Sequence, residues 1–246
     1  MTEEQLVLSR PLHEGRVSLL TLNRDAKRNA LSVELCRAIE DALESSVAGG
    51  ARAVVLTAAG SVFSAGADLT EEDFAGELYP ALEHLMTAIR RHPTVVIAAV
   101  DGPAIGAGAM LAMACDVRVV GPDASFRIPV TDMAIGVDED TVASLNSLIG
   151  GSRARAMLLL GTELDSEAAL DSGFAMFPGD ADAAVDLARQ ATWKAPLTVA
   201  QLKMEFAESF SATERADARA AAWNSEDFRE VGQARVEKRP PRFRGR

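Results

Sequence analysis

Residues 95–100 (VVIAAV) form an uninterrupted apolar run with no polar face. A strand of this kind has to be covered by protein on both sides, which is typical of a parallel sheet flanked by helices. Similar β-rich runs predict strands at residues 17–22 (VSLLTL), 53–57 (AVVLT) and 117–120 (VRVV). We therefore expect a sheet whose central strands are buried on both faces.

Helical patterns alternate with these predicted strands. Ser32 is suited to cap a helix that Gly49 ends, and Leu35 and Leu43 recur within it at helical spacing. A glycine-rich turn leads into a second predicted helix at residues 108–115. This succession of strands and helices predicts an α/β core with a largely parallel sheet.

The last third of the chain has a different pattern. From residue 152 onward we expect helices and no further strands. The predicted helices lie at residues 153–160, 166–172, 181–194, 198–209 and 213–232. We therefore divide the chain into an α/β core at residues 1–190 and a C-terminal helical region at residues 191–246.

Charge and composition exclude several classes of protein. A net charge of −11 argues against a nucleic-acid partner, since phosphate backbones are bound by surplus Lys and Arg. Residues 1–10 lack the basic and apolar regions of a secretory signal, so we expect a cytoplasmic protein. The most apolar stretch, residues 103–115, is too short to span a bilayer.

Cys36 and Cys115 match no disulfide or metal-ligand spacing, and we expect buried, reduced thiols and no metal.

The C-terminal residues 235–246 (RVEKRPPRFRGR) reverse the acidic character of the chain. Cationic side chains dominate this segment, which contains a single Glu. Two interpretations stay open, a solvated tail or a contact with an anion such as the phosphates of a ligand.

Two loops that follow strands carry the main functional signal. In residues 61–71 (SVFSAGADLTE), small residues at 65–67 let the backbone approach a ligand. Asp68 is placed to begin a helix, which would leave the N–H groups of residues 66–69 unpaired. The second loop, residues 101–110 (DGPAIGAGAM), again joins a strand to the start of a helix.

Two backbone donors aimed at one point stabilise negative charge on a carbonyl oxygen, and losing one such donor costs roughly 3 kcal/mol. We therefore predict a joint site made by Ala67 and Ala107. A dinucleotide site is the alternative, because Gly106 and Gly108 precede a helix. The third glycine of the G-x-G-x-x-G pattern is missing, which disfavours that alternative.

Several motifs resemble signatures of the enoyl-CoA hydratase/isomerase (crotonase) family. They are residues 23–32 (NRDAKRNALS), 63–69 (FSAGADL) and 101–111 (DGPAIGAGAML). The resemblance extends to residues 111–119 (LAMACDVRV) and 237–243 (EKRPPRF), and so covers nearly the whole chain. It implies an α/β fold, a crotonase-like spiral of ββα units with a C-terminal α-helical extension, assembled as homotrimers or hexamers.

The resemblance also implies site residues. Ala67 and Ala107 match the two oxyanion-hole positions of the family. Residues that match its coenzyme A contacts are Lys27, Arg28, Ala30, Ala65, Gly66, Ala67, Asp68 and Leu69. The implied ligand is an acyl-coenzyme A thioester.

The chain departs from the family pattern where hydratases carry two glutamates that activate water and protonate the α-carbon. Met110 and Val130 occupy those positions. Because each lost general acid or base typically removes about 10² to 10⁴ in rate, hydration is expected to be lost while the thioester pocket is kept.

A single aspartate could still move a proton between carbons. Asp140 matches the catalytic aspartate of the family's dienoyl-CoA isomerases, and Asp132 is a second candidate. The alternative for residues 138–140 (DED) is a solvated charged loop.

The leading hypothesis is a crotonase-fold protein of lipid metabolism that binds or carries fatty acyl-CoA with little or no hydratase activity. One alternative is an enoyl-CoA isomerase that uses a single aspartate. The others are a hydratase with atypical carboxylates and an assembly scaffold with a vestigial pocket.

Overall fold

A six-stranded sheet lies at the centre of this computed structural model, which describes residues 5–207 and 209–246. The strands of the molecule are β1 (Val7–Leu12), β2 (Val17–Leu22), β3 (Ala53–Ala58), β4 (Val95–Val100), β5 (Pro103–Ile105), β6 (Val117–Val120), β7 (Ser125–Arg127), β8 (Leu164–Asp165) and β9 (Phe177–Pro178). The main sheet has the order β1-β2-β3-β4-β6-β9. Only β1 and β2 pair antiparallel there, and the other neighbours are parallel.

Both faces of the main sheet are buried, as the apolar runs predicted. On one face Val55, Ile97 and Val119 pack against Ala184 and Ala188 of a single helix. On the other face, alternate residues of the same strands join a much larger apolar core. This burial follows from the period of two in a strand, which sends neighbouring side chains to opposite faces.

The helices pack on both faces of this sheet and continue beyond it. They are α1 (Val33–Ala48), α2 (Tyr79–Arg91), α3 (Ala107–Ala114), α4 (Glu139–Ile149), α5 (Gly151–Leu160), α6 (Ser166–Ser172), α7 (Ala181–Ala191), α8 (Pro196–Phe206), α9 (Ala212–Asn224) and α10 (Glu226–Val236). A short π-helix, Phe74–Leu78, leads directly into α2.

Helix α1 confirms the predicted capping and spacing. The Ser32 hydroxyl accepts a hydrogen bond from the backbone N–H of Leu35 at 3.2 Å, and Gly49 follows the last residue of the helix. Leu35, Ile39 and Leu43 are all buried against the sheet core. The cap and the apolar face therefore fix the start and the orientation of α1.

The prediction that strands end before residue 152 is wrong. β8 pairs with β7, and β9 extends the main sheet beside β6. Each of these strands has two residues, which is too short to show any periodicity in the sequence.

The predicted helices of the last third also need correction. The helix predicted at residues 213–232 is broken at Ser225, whose hydroxyl caps α10 by accepting the N–H of Phe228. The helix predicted at residues 198–209 ends at Phe206, and residue 208 lies outside the described residues. Helix α4 was not predicted, because the charged residues 138–140 also suit a loop.

The basic C-terminal segment is docked on the protein, so its interpretation as a solvated tail is wrong. Arg239 pairs with Glu230 and Glu237, and the N–H groups of Arg244 and Gly245 bond to the carboxylate of Asp227 at 2.6 and 2.8 Å. Arg239 and the backbone of residues 244–245 therefore contact carboxylates of the chain itself.

A second, smaller sheet positions the functional loops. It has the order β5-β7-β8, and β5 follows β4 after a short turn. β3, β4 and β6 are parallel. The connecting helices α2 and α3 therefore both begin at the carboxyl edge of the main sheet and run antiparallel to its strands.

Helices long and apolar enough to cross a bilayer do not occur within residues 5–207 and 209–246. The sequence prediction about a missing secretory signal concerns residues 1–10, of which residues 1–4 lie outside the described part.

Candidate functional site

The two predicted loops lie side by side. Ser64 and Ala104 form an isolated parallel β-bridge. The N–H of Ile105 donates to the carbonyl of Ser64 at 2.9 Å, and the N–H of Ser64 donates to the carbonyl of Pro103 at 3.3 Å. This bridge places residues 65–67 next to residues 105–107.

The backbone around Ala67 is fixed by its pairing with Leu31. The N–H of Leu31 donates to the carbonyl of Gly66, and the N–H of Asp68 donates to the carbonyl of Leu31, both at 2.8 Å. This alternation turns the N–H of Ala67 away from Leu31. Throughout residues 5–207 and 209–246, that N–H has no hydrogen-bond acceptor.

The second donor belongs to the first residue of α3. Gly106 adopts φ +52° and ψ −120°, and its own N–H donates to the carbonyl of Arg127 at 2.7 Å. Ala107 follows in the first turn of α3, where backbone N–H groups have no partner inside the helix. Its N–H has no acceptor in the part of the chain that the structure describes.

Gly66 keeps the two donors close together. It adopts φ +98°, and a Cβ atom built on it would lie 3.6 Å from the nitrogen of Ala107. The same atom would lie 2.8 Å from the carbonyl oxygen of Ile105, a distance that no real side chain tolerates. The close approach of the loops therefore depends on glycine at this position.

Asp68 does not begin a helix, so that sequence prediction is wrong. Its carboxylate accepts hydrogen bonds from the N–H and the hydroxyl of Thr70 and from Arg24, at 3.1, 2.6 and 2.6 Å. These hydrogen bonds lower the pKa of Asp68 to about 2, and the bond from the Thr70 hydroxyl has the largest effect. The N–H groups of residues 66 and 68 are paired, so within residues 66–68 the free backbone donor is Ala67.

A cavity opens beside the two donors. Its apolar wall consists of Leu69, Phe74, Tyr79, Leu82, Met86, Ile105, Met110, Met113, Val130, Met133, Ile135 and Val137. Its polar residues are Glu83, Thr87, Arg90, Asp138, Asp140, Thr141 and Ser144. Ala65, Gly66, Ala67, Gly106, Ala107 and Pro129 complete the lining, so the predicted donor pair faces a largely apolar space.

Met110 and Val130 both belong to this lining, on α3 and on the 3-10 helix Val130–Met133. The two positions at which the resemblance leads us to expect glutamates therefore face the cavity with apolar groups. Unbranched methionine side chains adapt their shape to a ligand, and four of them line the cavity: Met86, Met110, Met113 and Met133. Such a wall suits an alkyl chain.

The structure separates the two candidate aspartates. Asp140 lies in the first turn of α4 and lines the cavity. Asp132 is instead paired with Arg127 at 2.7 Å, and it is not part of the cavity lining. Glu83 on α2 is a further lining carboxylate that the sequence predictions missed. The spacing of Tyr79, Glu83 and Met86 on one face of a helix was the signal that could have identified it.

Tyr79 and Asp138 connect the walls formed by α2 and α4. The Tyr79 hydroxyl donates to Asp138 at 3.1 Å, and burial together with this bond raises the pKa of Tyr79 to about 12. Asp138 also caps α4 by accepting the N–H of Thr141 at 2.7 Å. Burial opposes ionisation of Asp138, but hydrogen bonds from Thr141 and Tyr79 outweigh it and lower the pKa. Tyr79 is therefore a neutral donor, and Asp138 is a structural acceptor.

The residues matched to coenzyme A contacts fall into two groups. Ala65, Gly66, Ala67 and Leu69 line the cavity. Lys27, Arg28, Ala30 and Asp68 lie beside it, in or next to the turn that packs against the first loop. The carbonyl of Arg28 accepts the N–H of Ala65 at 2.9 Å, and Lys27 and Arg28 are exposed.

Neither cysteine takes part in this site. Burial raises the pKa of both Cys36 and Cys115 to about 12. Both thiols therefore stay protonated at neutral pH, which removes them as nucleophiles.

Comparison with known proteins gives one consistent result. The family model described as "Enoyl-CoA hydratase/isomerase" matches residues 13–246. The "Probable enoyl-CoA hydratase echA6" of Mycobacterium tuberculosis is 40% identical over 93% of this chain and 96% of its own length. The corresponding Mycobacterium leprae protein is 38% identical over the same shares of the two chains.

Solved structures agree with these relatives. The enoyl-CoA hydratase of Bacillus anthracis superposes with a TM-score of 0.86 at 26% identity, over 98% of this chain and 100% of its own. The helices and sheets described above, including the C-terminal helices, follow that fold. The chain therefore belongs to the enoyl-CoA hydratase/isomerase family and has the crotonase fold.

Proposed function

We propose that the protein binds fatty acyl-CoA thioesters, with the thioester oxygen held between the N–H groups of Ala67 and Ala107, and that it hydrates them little or not at all. One observation carries this proposal: two unpaired backbone donors face a cavity whose neighbouring wall is formed by Met110 and Val130. The site offers a place for the carbonyl and an apolar path for the chain. Among the described residues, the lining contains one glutamate, Glu83, and no glutamate pair.

Binding and turnover make different demands on this site. Two donors hold a thioester oxygen by hydrogen bonds, and an apolar wall gains free energy as the chain leaves water. Hydration also requires one group to take a proton from water and another to deliver a proton to the α-carbon. Thioether and isopropyl groups do neither, so the site is suited to carrying an acyl-CoA.

The test is a pair of measurements on one preparation. Calorimetric titration with dodecanoyl-CoA should give saturable binding, and free coenzyme A should bind at least tenfold more weakly because it lacks the chain and the carbonyl. The rate at which crotonyl-CoA is hydrated should equal the rate measured without the protein. Turnover at the rate of an ordinary hydratase, typically on the order of 1–10³ s⁻¹, would contradict the carrier role and favour a hydratase with atypical carboxylates.

Isomerisation is the second candidate, and the position of Asp140 on the cavity wall supports it. A single carboxylate can take a proton from one carbon and return it to another, which is sufficient to move a double bond. If this reaction occurs, Asp140→Asn should lower its rate by about 10²-fold or more at unchanged acyl-CoA affinity. Asp132→Asn, which changes a carboxylate outside the cavity lining, is the matched control. An unchanged rate in Asp140→Asn would exclude Asp140 as the proton carrier.

Assembly into trimers or hexamers is also part of the proposed function. Phe206, Trp223, Phe228 and Val236, on or next to the C-terminal helices, expose large apolar side chains. Clusters of such residues usually mark contacts between proteins. We propose that these helices contact other copies of the chain, and that Lys27 and Arg28 contact the phosphates of coenzyme A at the surface.

A further inference from the structure

One face of α2 lines the cavity along the whole helix. Tyr79, Glu83, Met86 and Arg90 follow one another on this face at intervals of three or four residues, about one turn each. Arg90 therefore lies three turns, about 16 Å, beyond Tyr79 along the helix axis. The cavity is elongated, and Arg90 belongs to one of its ends.

That end is the one farthest from the donor pair. Helices α2 and α3 contact each other, and both run back from the carboxyl edge of the parallel strands. Ala107 is the first residue of α3, and Met110 and Met113 line the cavity one and two turns later. An acyl chain whose carbonyl lies at Ala107 passes these methionines and runs toward Arg90.

Among the residues that the structure describes, Arg90 has no carboxylate partner. Arg90 is half-buried, and within residues 5–207 and 209–246 no carboxylate oxygen lies within 4.0 Å of it. The adjacent Arg91 is different, since it pairs with Glu214 at 3.2 Å and lies over the ring of Phe210. A partly desolvated guanidinium beside an apolar wall is stabilised by an anion that reaches it.

The carboxylates of the lining do not supply this anion. Asp138 is bonded to Tyr79 at the beginning of α2, and Asp140 follows it in the first turn of α4. Glu83 lies seven residues before Arg90 on the same helix face, about 10 Å away along the axis. The acidic groups thus gather toward the start of α2, and its other end is cationic.

We infer that the cavity selects acyl-CoA thioesters whose chain ends in a carboxylate, and that Arg90 binds this terminal group. The inference rests on the proposed acyl-CoA binding and specifies its ligand. The planar guanidinium forms two parallel hydrogen bonds with a carboxylate, which a methyl end cannot accept. A plain alkyl chain would instead remove water from the cation without forming a hydrogen bond or an ion pair with it.

The experiment compares matched ligands on the wild-type protein. Succinyl-, adipyl-, suberyl- and sebacyl-CoA are titrated beside butanoyl-, hexanoyl-, octanoyl- and decanoyl-CoA. The carboxylated ester should bind about ten- to one-hundred-fold more tightly than its partner at the best length. Because Arg90 lies at a fixed distance from Ala107, the preference should peak at one length and fall on either side.

Variants of Arg90 test whether this side chain causes the preference for carboxylated esters. Arg90→Met should abolish the preference and leave the affinity for plain esters unchanged or higher, and Arg90→Lys should keep part of it. Arg155→Met is the matched control, because Arg155 is exposed and lies outside the cavity lining. Thermal unfolding of each variant shows whether it is folded, and the wild-type ligand series does not depend on any variant.

Two failures are distinguishable. If the wild type binds plain and carboxylated esters equally at every length, or if Arg90→Met retains the preference, the inference is overturned and acyl-CoA binding stands. If the wild type binds no coenzyme A ester at all, the proposed function is overturned, and the inference with it.

Discussion

At Gly66 the backbone adopts φ +98°, and the carbonyl oxygen of Ile105 leaves no room for a methyl group on its Cα. A methyl group at this position would press on Ile105 of the second loop and would shift the adjacent Ala67. The proposed thioester site is therefore built from backbone groups of the two loops.

Gly66→Ala should separate the two donors and weaken acyl-CoA binding by at least tenfold, about 1.4 kcal/mol. Gly50→Ala is the matched control, since Gly50 has a similar φ of +88° but a Cβ atom built on it would meet no atom within 4 Å. Both variants should lose about 1 kcal/mol of stability from the left-handed backbone. Titration with dodecanoyl-CoA measures the difference, and equal affinities for the two variants would contradict the role given to Gly66.

The two loops lie side by side, as their sequences indicated, whereas two charged side chains of the cavity lining were not predicted. Ala67 and Ala107 lie in loops whose glycines and small residues signal close approach. Glu83 and Arg90 face the cavity only because α2 turns that face toward α3, which the sequence of α2 alone does not reveal. The helix start predicted at Asp68 is wrong because an aspartate suits both a helix cap and the turn that it forms with Thr70.

Among the elements, helix α8 is held to the core by one buried cation. The ammonium of Lys203 donates to the carbonyls of Ile89 and Thr94, at 3.3 and 2.9 Å, and to Asp116 at 2.6 Å. The two carbonyls belong to the end of α2 and to the turn before β4, and Asp116 directly precedes β6. The position of the C-terminal helices therefore depends on Lys203, which is only 8% exposed.

Lys203→Met should destabilise the protein by about 2 to 3 kcal/mol, because the substitution leaves Asp116 without its cation. Lys194→Met is the control, since Lys194 is exposed and should change stability by less than about 0.5 kcal/mol. Urea unfolding measures both values. If Lys203→Met matches the control, the anchoring role is wrong.

The elements that the sequence predicted best are those with a long, regular pattern. Helix α1 and strands β2, β3, β4 and β6 were predicted because each has a cap or an apolar run of sufficient length. β8 and β9 are strands because they pair with the edges of β7 and β6, so they depend on residues that are distant in the sequence. Helix α4 was not predicted because Asp138, which caps it, also suits a charged loop.

At the scale of the whole molecule, the exposed apolar residues of the C-terminal region predict an assembly. Light scattering after size-exclusion chromatography should give three or six times the mass of one chain. Phe228→Glu should shift the mass toward smaller species, because a charge would be buried in the contact. Leu8→Glu, on the exposed face of β1, should leave the mass unchanged. A single-chain mass for the wild type would contradict the proposed assembly.

We propose that the two loops hold a thioester oxygen beside the apolar wall formed by Met110 and Val130. A crystal structure with a bound acyl-CoA would show whether they do. We predict that the thioester oxygen lies within about 3.2 Å of the nitrogens of both Ala67 and Ala107. We also predict that no pair of carboxylates lies within about 4 Å of the acyl α- and β-carbons. An oxygen bound elsewhere, or two carboxylates flanking those carbons, would contradict the account.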